Sequence, residues 1–263
     1  MKAICFESVS YLRYLVFIQL FSLNAFSQKD TLYFDIYENE ISKVVFNTKL
    51  HSKFYNGIRY SSDTLVVQGL IPNHVFGQLS PVVKSQLFKM LSSRSEIDTL
   101  KTLSLYYKDT LITRNEFPKK DLLIFRDSLG KVMGTSKLIG WYFDGRPYKK
   151  AKYHDRIYSF KGFNRLTLSI FKKYRKFKHV EPVFFYGTNN GLDLNTLKVK
   201  WHKDYGYLIK NLFRYKDYWF GQLIIKPNGE YYVRYGYVEG DYRKLFNIKE
   251  WDKQKAEFLK WNQ

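Results

Sequence analysis

One stretch constrains the fold more than any other: Tyr218–Val238, YWFGQLIIKPNGEYYVRYGYV. Trp219 to Ile225 is β-branched and aromatic with few polar breaks, the composition of a strand buried on both faces. Pro227-Asn228-Gly229 then reverses the chain. Pro has no N–H for a ladder, which places it second in a type I turn, with Asn228 next and Gly229 left-handed as a G1 bulge. The return strand alternates, with Tyr231, Val233 and Tyr235 on one face and Tyr232 and Arg234 on the other. A hairpin of this kind belongs inside a sheet, and the other segments are read around it.

Taken in order, Lys29–Ile36 reads as a strand. Ser42 caps a short helix to Leu50 that turns Val45, Phe46 and Leu50 inward. Phe54–Tyr60 and Thr64–Leu70 form a hairpin around Ser61-Ser62-Asp63. Ser80-Pro81 starts a helix with Val83, Leu87 and Leu91 as its apolar stripe. Thr102–Tyr107 and Leu122–Phe125 are strands. Ser159 caps a helix to about Lys176, with Phe160, Phe163, Ile170, Phe171 and Tyr174 along one side. Val183–Tyr186 is a strand ended by a polar loop from Gly187 to Gly191. Leu197, Val199 and Trp201 mark a half-exposed strand, and Tyr205–Phe213 a helix. Asn247 caps the last helix, with Glu250 as in a capping box and Phe246 and Trp251 as a hydrophobic staple. The expected fold is α+β: a mainly antiparallel sheet packed by four or five helices, ending in a β-hairpin and a terminal helix.

The N-terminus carries an export pattern. Lys2 and Arg13 supply positive charge, Tyr14–Leu23 is an apolar run too short to span a bilayer, and Ala25 and Ser27 are the small residues of a cleavage site. Residues 1–27 therefore read as a cleaved signal peptide and 28–263 as one globular domain, with any subdomain break within 131–158. The single cysteine, Cys5, leaves with the signal. A mature chain without thiols has no disulfide, thiolate nucleophile or cysteine-ligated metal. It also has no transmembrane helix. The expected location is the periplasm, the cell surface or the medium.

Chemistry-bearing motifs are scarce. His51, His74, His154, His179 and His202 form no H-E-x-x-H or H-x-H pattern, and no metal or cofactor is implied. His154-Asp155 and His179-x-Glu181 read as surface or turn pairs. There is no nucleophile elbow, P-loop or dinucleotide fingerprint. Carboxylates that only the fold brings together are compatible with the sequence.

Asp-Thr-Leu recurs at 30–32, 63–65, 98–100 and 109–111, with Asp-Ser-Leu at 127–129; composition alone gives well under ~1. A physical reading has Asp ending a turn and Thr-Leu starting a strand. The triplet also resembles the O-glycosylation acceptor Asp-[Ser/Thr]-aliphatic that one group of Gram-negative bacteria uses on exported proteins. That resemblance implies Thr31, Thr64, Thr99, Thr110 and Ser128 as sites. From Val183 onward, the succession of strands, helix, Asn-Gly hairpin and terminal helix resembles the C-terminal half of thioredoxin-like domains. The chain lacks their C-x-x-C and the Pro before the Leu223–Ile225 strand, so the resemblance implies a redox-inactive relative.

The formal charge of +20 attracts anionic partners. Arg146, Lys149, Lys150, Lys152 and Arg156, interleaved with Tyr148 and Tyr153, form one basic cluster. Lys172, Lys173, Arg175, Lys176 and Lys178 form another at a helix end, where cations also suit the dipole. Together they point to a non-enzymatic envelope protein that contacts acidic glycan or lipopolysaccharide. Export disfavours nucleic acid. An exported hydrolase with carboxylates assembled by the fold, or a structural partner with an exposed apolar patch, are the alternatives. The exported protein should migrate identically in gels with and without reductant; a reductant-dependent band would show that Cys5 was retained.

Overall fold

A computed structural model describes residues 30–126, 131–139, 142–143, 153–216, 220–235 and 242–262. The signal-peptide expectation falls outside them. The chain divides into two compact units at Pro72–Asn73.

The smaller unit holds β1 (Asp30–Phe34), α1 (Lys43–Leu50), β2 (Tyr55–Ser61) and β3 (Leu65–Pro72). Central β3 pairs parallel with β1 and antiparallel with β2. Ser42 caps α1 by accepting from the Val45 N–H at 3.3 Å. Only Phe46 of the expected stripe is buried, its ring 5.1 Å from Tyr33. Val45 and Leu50 are 41% and 37% exposed. Two helical turns present too little face to bury three side chains on a three-stranded sheet.

The larger unit contains β4 (His74–Gln78), α2 (Pro81–Ser95), β5 (Thr102–Leu111), β6 (Leu122–Arg126), β7 (Val132–Ile139), β8 (Tyr142–Phe143), β9 (Tyr153–Ile157), α3 (Phe160–Arg175), β10 (Val180–Asn189), β11 (Trp201–Lys203), α4 (Leu208–Phe213), β12 (Phe220–Ile225), β13 (Glu230–Tyr235) and α5 (Ile248–Trp261). A six-stranded sheet runs β11-β10-β5-β12-β13-β4, and a four-stranded one runs β8-β7-β6-β9. The fold is α+β with five helices among the described residues. Pairing is mostly antiparallel; β1–β3, β5–β10 and β10–β11 are parallel.

Both faces of the six-stranded sheet are covered. Leu103, Leu105 and Tyr107 of β5 point to one face, where Leu87 and Leu91 of α2 and Ile209 and Phe213 of α4 pack. On the other, Phe163 of α3 meets Phe184 and Trp201, with rings 5.6 Å apart for Phe163–Trp201. Trp251 and Phe258 of α5 close around Phe76 of β4. Strands covered on both sides need apolar residues at successive positions, which explains the unbroken Leu223-Ile224-Ile225 run, each residue 0% exposed.

The hairpin has the expected turn. The Lys226 N–H donates to the Glu230 carbonyl at 2.8 Å, the Gly229 N–H to the Lys226 carbonyl at 2.9 Å, and Gly229 has φ +89. Glu230 then pairs with Lys226 within the hairpin and ties the hairpin to α5 through Lys255. Burial opposes its ionisation, but those hydrogen bonds prevail and hold its carboxyl at about 2.

Two expectations fail nearby. Gly187 lies buried inside β10, which runs on to Asn189; Thr110 and Thr188 share a hydroxyl hydrogen bond of 2.9 Å beside it. In the 197–201 region the strand shrinks to Trp201–Lys203, after a 3₁₀ turn at Leu194–Thr196. There the Thr196 carbonyl and Lys198 N–H bond to the Asn164 side chain, which removes them from any ladder.

Gly229→Ala should destabilise by roughly 1 kcal/mol, with Gly229→Val worse, because a Cβ is strained at this φ. The sequence makes Gly187→Ala mild; the structure reverses that order. A Cβ at Gly187 would sit 2.7 Å from the Asp109 carbonyl oxygen, against which backbone cannot yield, so the cost should be roughly 1–3 kcal/mol. Urea melts of the three variants check this, and a wild-type midpoint for Gly187→Ala would contradict the buried placement.

Candidate functional site

Helix α3 is fixed at its N-terminus by Asp121. Its Oδ1 accepts from the Ser159 N–H at 2.8 Å and from the Ser159 hydroxyl, and its Oδ2 from Arg165 at 3.0 Å. Ser159 in turn accepts from the Gly162 N–H at 3.1 Å. A buried carboxylate suits the positive end of the helix dipole. Gly162 makes room for it, since a Cβ there would collide with the Asp121 carboxyl.

Further along, the buried side chain of Asn164 holds the 196–198 loop against α3, donating to Thr196 at 3.3 Å and accepting from Lys198 at 3.0 Å. Between the helix, this loop and Arg114 lies a groove of ≈ 870 Å³. Lys161, Arg165, Lys172 and Lys173 of α3 and Lys176 at its C-terminal cap line it, with Arg114 and Lys198 from other segments and no acidic residue among the lining groups. Leu168 and Phe160 supply its apolar floor; Arg114 stacks over Phe160 at 5.2 Å.

Three of the sequence-derived cations, Lys172, Lys173 and Lys176, meet in this groove. Arg175 faces elsewhere, stacked on Phe171 at 5.4 Å, and Lys178 is exposed beyond the helix end. Of the other cluster, Arg146, Lys149, Lys150 and Lys152 lie outside the described residues, and Arg156 is in β9. The reading of the chain missed Lys161 and Arg165, although 161, 165, 172 and 176 fall on one helical face. Arg114 and Lys198 come from remote loops and left no local signal.

Several carboxylates and histidines have structural partners. Asp204 is 2% exposed and accepts from the Tyr107 hydroxyl at 3.1 Å and from the Ile209 and Lys210 N–H groups at the start of α4. Burial pushes its carboxyl up against those hydrogen bonds. His179 Nε2 lies 3.2 Å from the Phe246 carbonyl, while Glu181 pairs with Lys101, so the two form no dyad. Among the described residues no three His, Cys, Asp or Glu side chains gather as metal ligands, and no helix is long and apolar enough to cross a membrane.

The Asp-Thr-Leu triplets do not share one structural role. Asp30 opens β1, and Thr64 is exposed in the turn before β3. Asp98 accepts from the Leu100 N–H within a turn, and Asp109-Thr110-Leu111 ends β5 instead of starting a strand. Ser128 lies outside the described residues. Aspartate bonds its own backbone equally well on entering or leaving a strand, so the triplet does not fix a direction. No family model, curated protein or solved structure matches the chain.

His202 rests 5.6 Å from the Phe185 ring, and burial, helped by Lys200, pushes its imidazole down to about 4. Below the unfolded value of about 6.5 the unfolded chain takes up a proton that the folded one refuses. Stability from this residue is complete above 6.5 and is lost as pH falls towards 4, by well under ~3 kcal/mol because solvent reaches part of the ring. His202→Gln should flatten urea stability across that window; an unchanged slope would contradict the half-buried neutral imidazole.

Proposed function

We propose that this protein acts without catalysis, by binding an anionic surface polymer, acidic glycan or lipopolysaccharide, in the groove along α3. One observation carries the reading. Lys161, Lys172, Lys173, Lys176 and Lys198 have no ion-pair partner among the described residues, yet they converge on one concavity. Elsewhere in the same unit some lysines find carboxylates: Lys101 with Asp98, Lys200 with Glu96, Lys210 with Asp109 and Lys226 with Glu230. Five like charges in one groove repel one another, and a bound polyanion relieves that repulsion.

The hydrolase reading requires paired carboxylates in a cleft. No carboxylate lines the α3 groove, and the buried Asp204 is committed to capping α4. Lysines serve here as mobile point charges suited to carboxylate and sulfate groups in varied orientations.

Each exposed lysine contact should be worth roughly 0.5–1 kcal/mol. Lys172→Gln with Lys176→Gln should therefore weaken binding to immobilised heparin by roughly tenfold at low salt, and elution should shift to lower salt. Lys43→Gln with Lys89→Gln removes the same net charge from exposed positions elsewhere and should leave binding nearly unchanged. Equal losses in the two double variants would mean that net charge, not the groove, retains the protein.

A further inference from the structure

A second groove, of ≈ 820 Å³, takes its lining in part from the chain just after α3. Lys176 lines the α3 groove, and the next residue, Phe177, lines the other. The turn Lys176–His179 links their lining residues along the chain, closed by the Phe177 N–H on the Tyr174 carbonyl at 3.0 Å and the Val180 N–H on the Phe177 carbonyl at 3.0 Å. Lys178 stands exposed on that turn. Beyond it, His179, Arg243 and Lys249 line the second groove together with Lys226, whose charge Glu230 already meets, and no acidic side chain is among its lining residues. The Asn247 side chain takes the Lys249 and Glu250 N–H groups, so the groove's far wall is the positive end of α5.

We propose that the two grooves form one track for an extended acidic polysaccharide, which enters along α3, crosses the Lys176–His179 turn over Lys178 and ends beside Lys249. This rests on the anion-binding reading of the α3 groove and adds the second groove as a site of its own. The spacing selects the ligand class. From Lys161 to Lys176 the helix rises by about 22 Å, so a compact headgroup with one or two phosphates reaches only part of the first groove. A linear polyuronate presents charge at every ring and fills both. Rings along the track are engaged with one another, Phe177 with Phe246 at 5.3 Å and Phe160 with Arg114 and Phe117, which leaves little free aromatic face for stacking nucleobases.

The test compares a short oligogalacturonate, no longer than the α3 groove, with one about twice that length, by calorimetric titration. Wild-type protein should bind the long chain at least about tenfold more tightly, because the second contact becomes intramolecular. Lys249→Glu should abolish that gain and leave the short chain's affinity unchanged. An acidic residue in the first turn of α5 suits the dipole, and an unchanged melting temperature checks that the helix persists. If Lys249→Glu keeps the full length-dependent gain, or weakens short and long chains equally, the track is overturned. If the short chain binds and Lys172→Gln with Lys176→Gln does not weaken it, the α3-groove reading fails instead. A single-stranded oligonucleotide of matching charge that binds as tightly as the long oligogalacturonate would overturn the assignment to polysaccharide.

Discussion

The Asp121 clamp is the contact on which the groove depends. Its carboxyl sits against a helix N-terminus, takes two hydrogen bonds from Ser159 and pairs with Arg165. Leaving such a buried carboxylate unpaired costs several kcal/mol, so the clamp fixes where α3 begins. Gly162 is the corresponding constraint on the helix side. Once the start is fixed, the helical period places Phe163 on the sheet and the lysines away from it.

Packing supplies the rest. Phe163, Phe184 and Trp201 hold α3 onto β10 and β11, and Asn164 fastens the loop that forms the opposite wall. The cations thus stand on a helix whose other face is rigidly buried. This separates a shaped groove from a merely solvated basic surface. Neighbouring charges cannot relax away from each other by moving the backbone, and a bound anion would relieve the repulsion left after their side chains spread.

Local features were legible in the sequence. Ser42, Ser80, Ser159 and Asn247 were each readable as helix caps, and each accepts a backbone hydrogen bond as expected. Pro227-Asn228-Gly229 was readable because turn chemistry is set by adjacent residues. Strand order was not. That β5 lies between β10 and β12 depends on pairings across more than seventy residues in one direction and more than a hundred in the other. Gly187 misled for the same reason. Next to Thr188-Asn189-Asn190 it has the composition of a loop, and only parallel pairing with β5 makes it a strand residue. The groove was half legible: the helical cations follow a period, whereas Arg114 and Lys198 are brought in by tertiary contacts.

The most direct measurement of the central claim is a map of backbone amide chemical shifts as heparin is added to the protein. Perturbations concentrated on 160–176, Arg114 and 196–198, saturating together, are what the groove predicts. Shifts spread over lysines of both units in proportion to their exposure, with α3 no different from the rest, would contradict it.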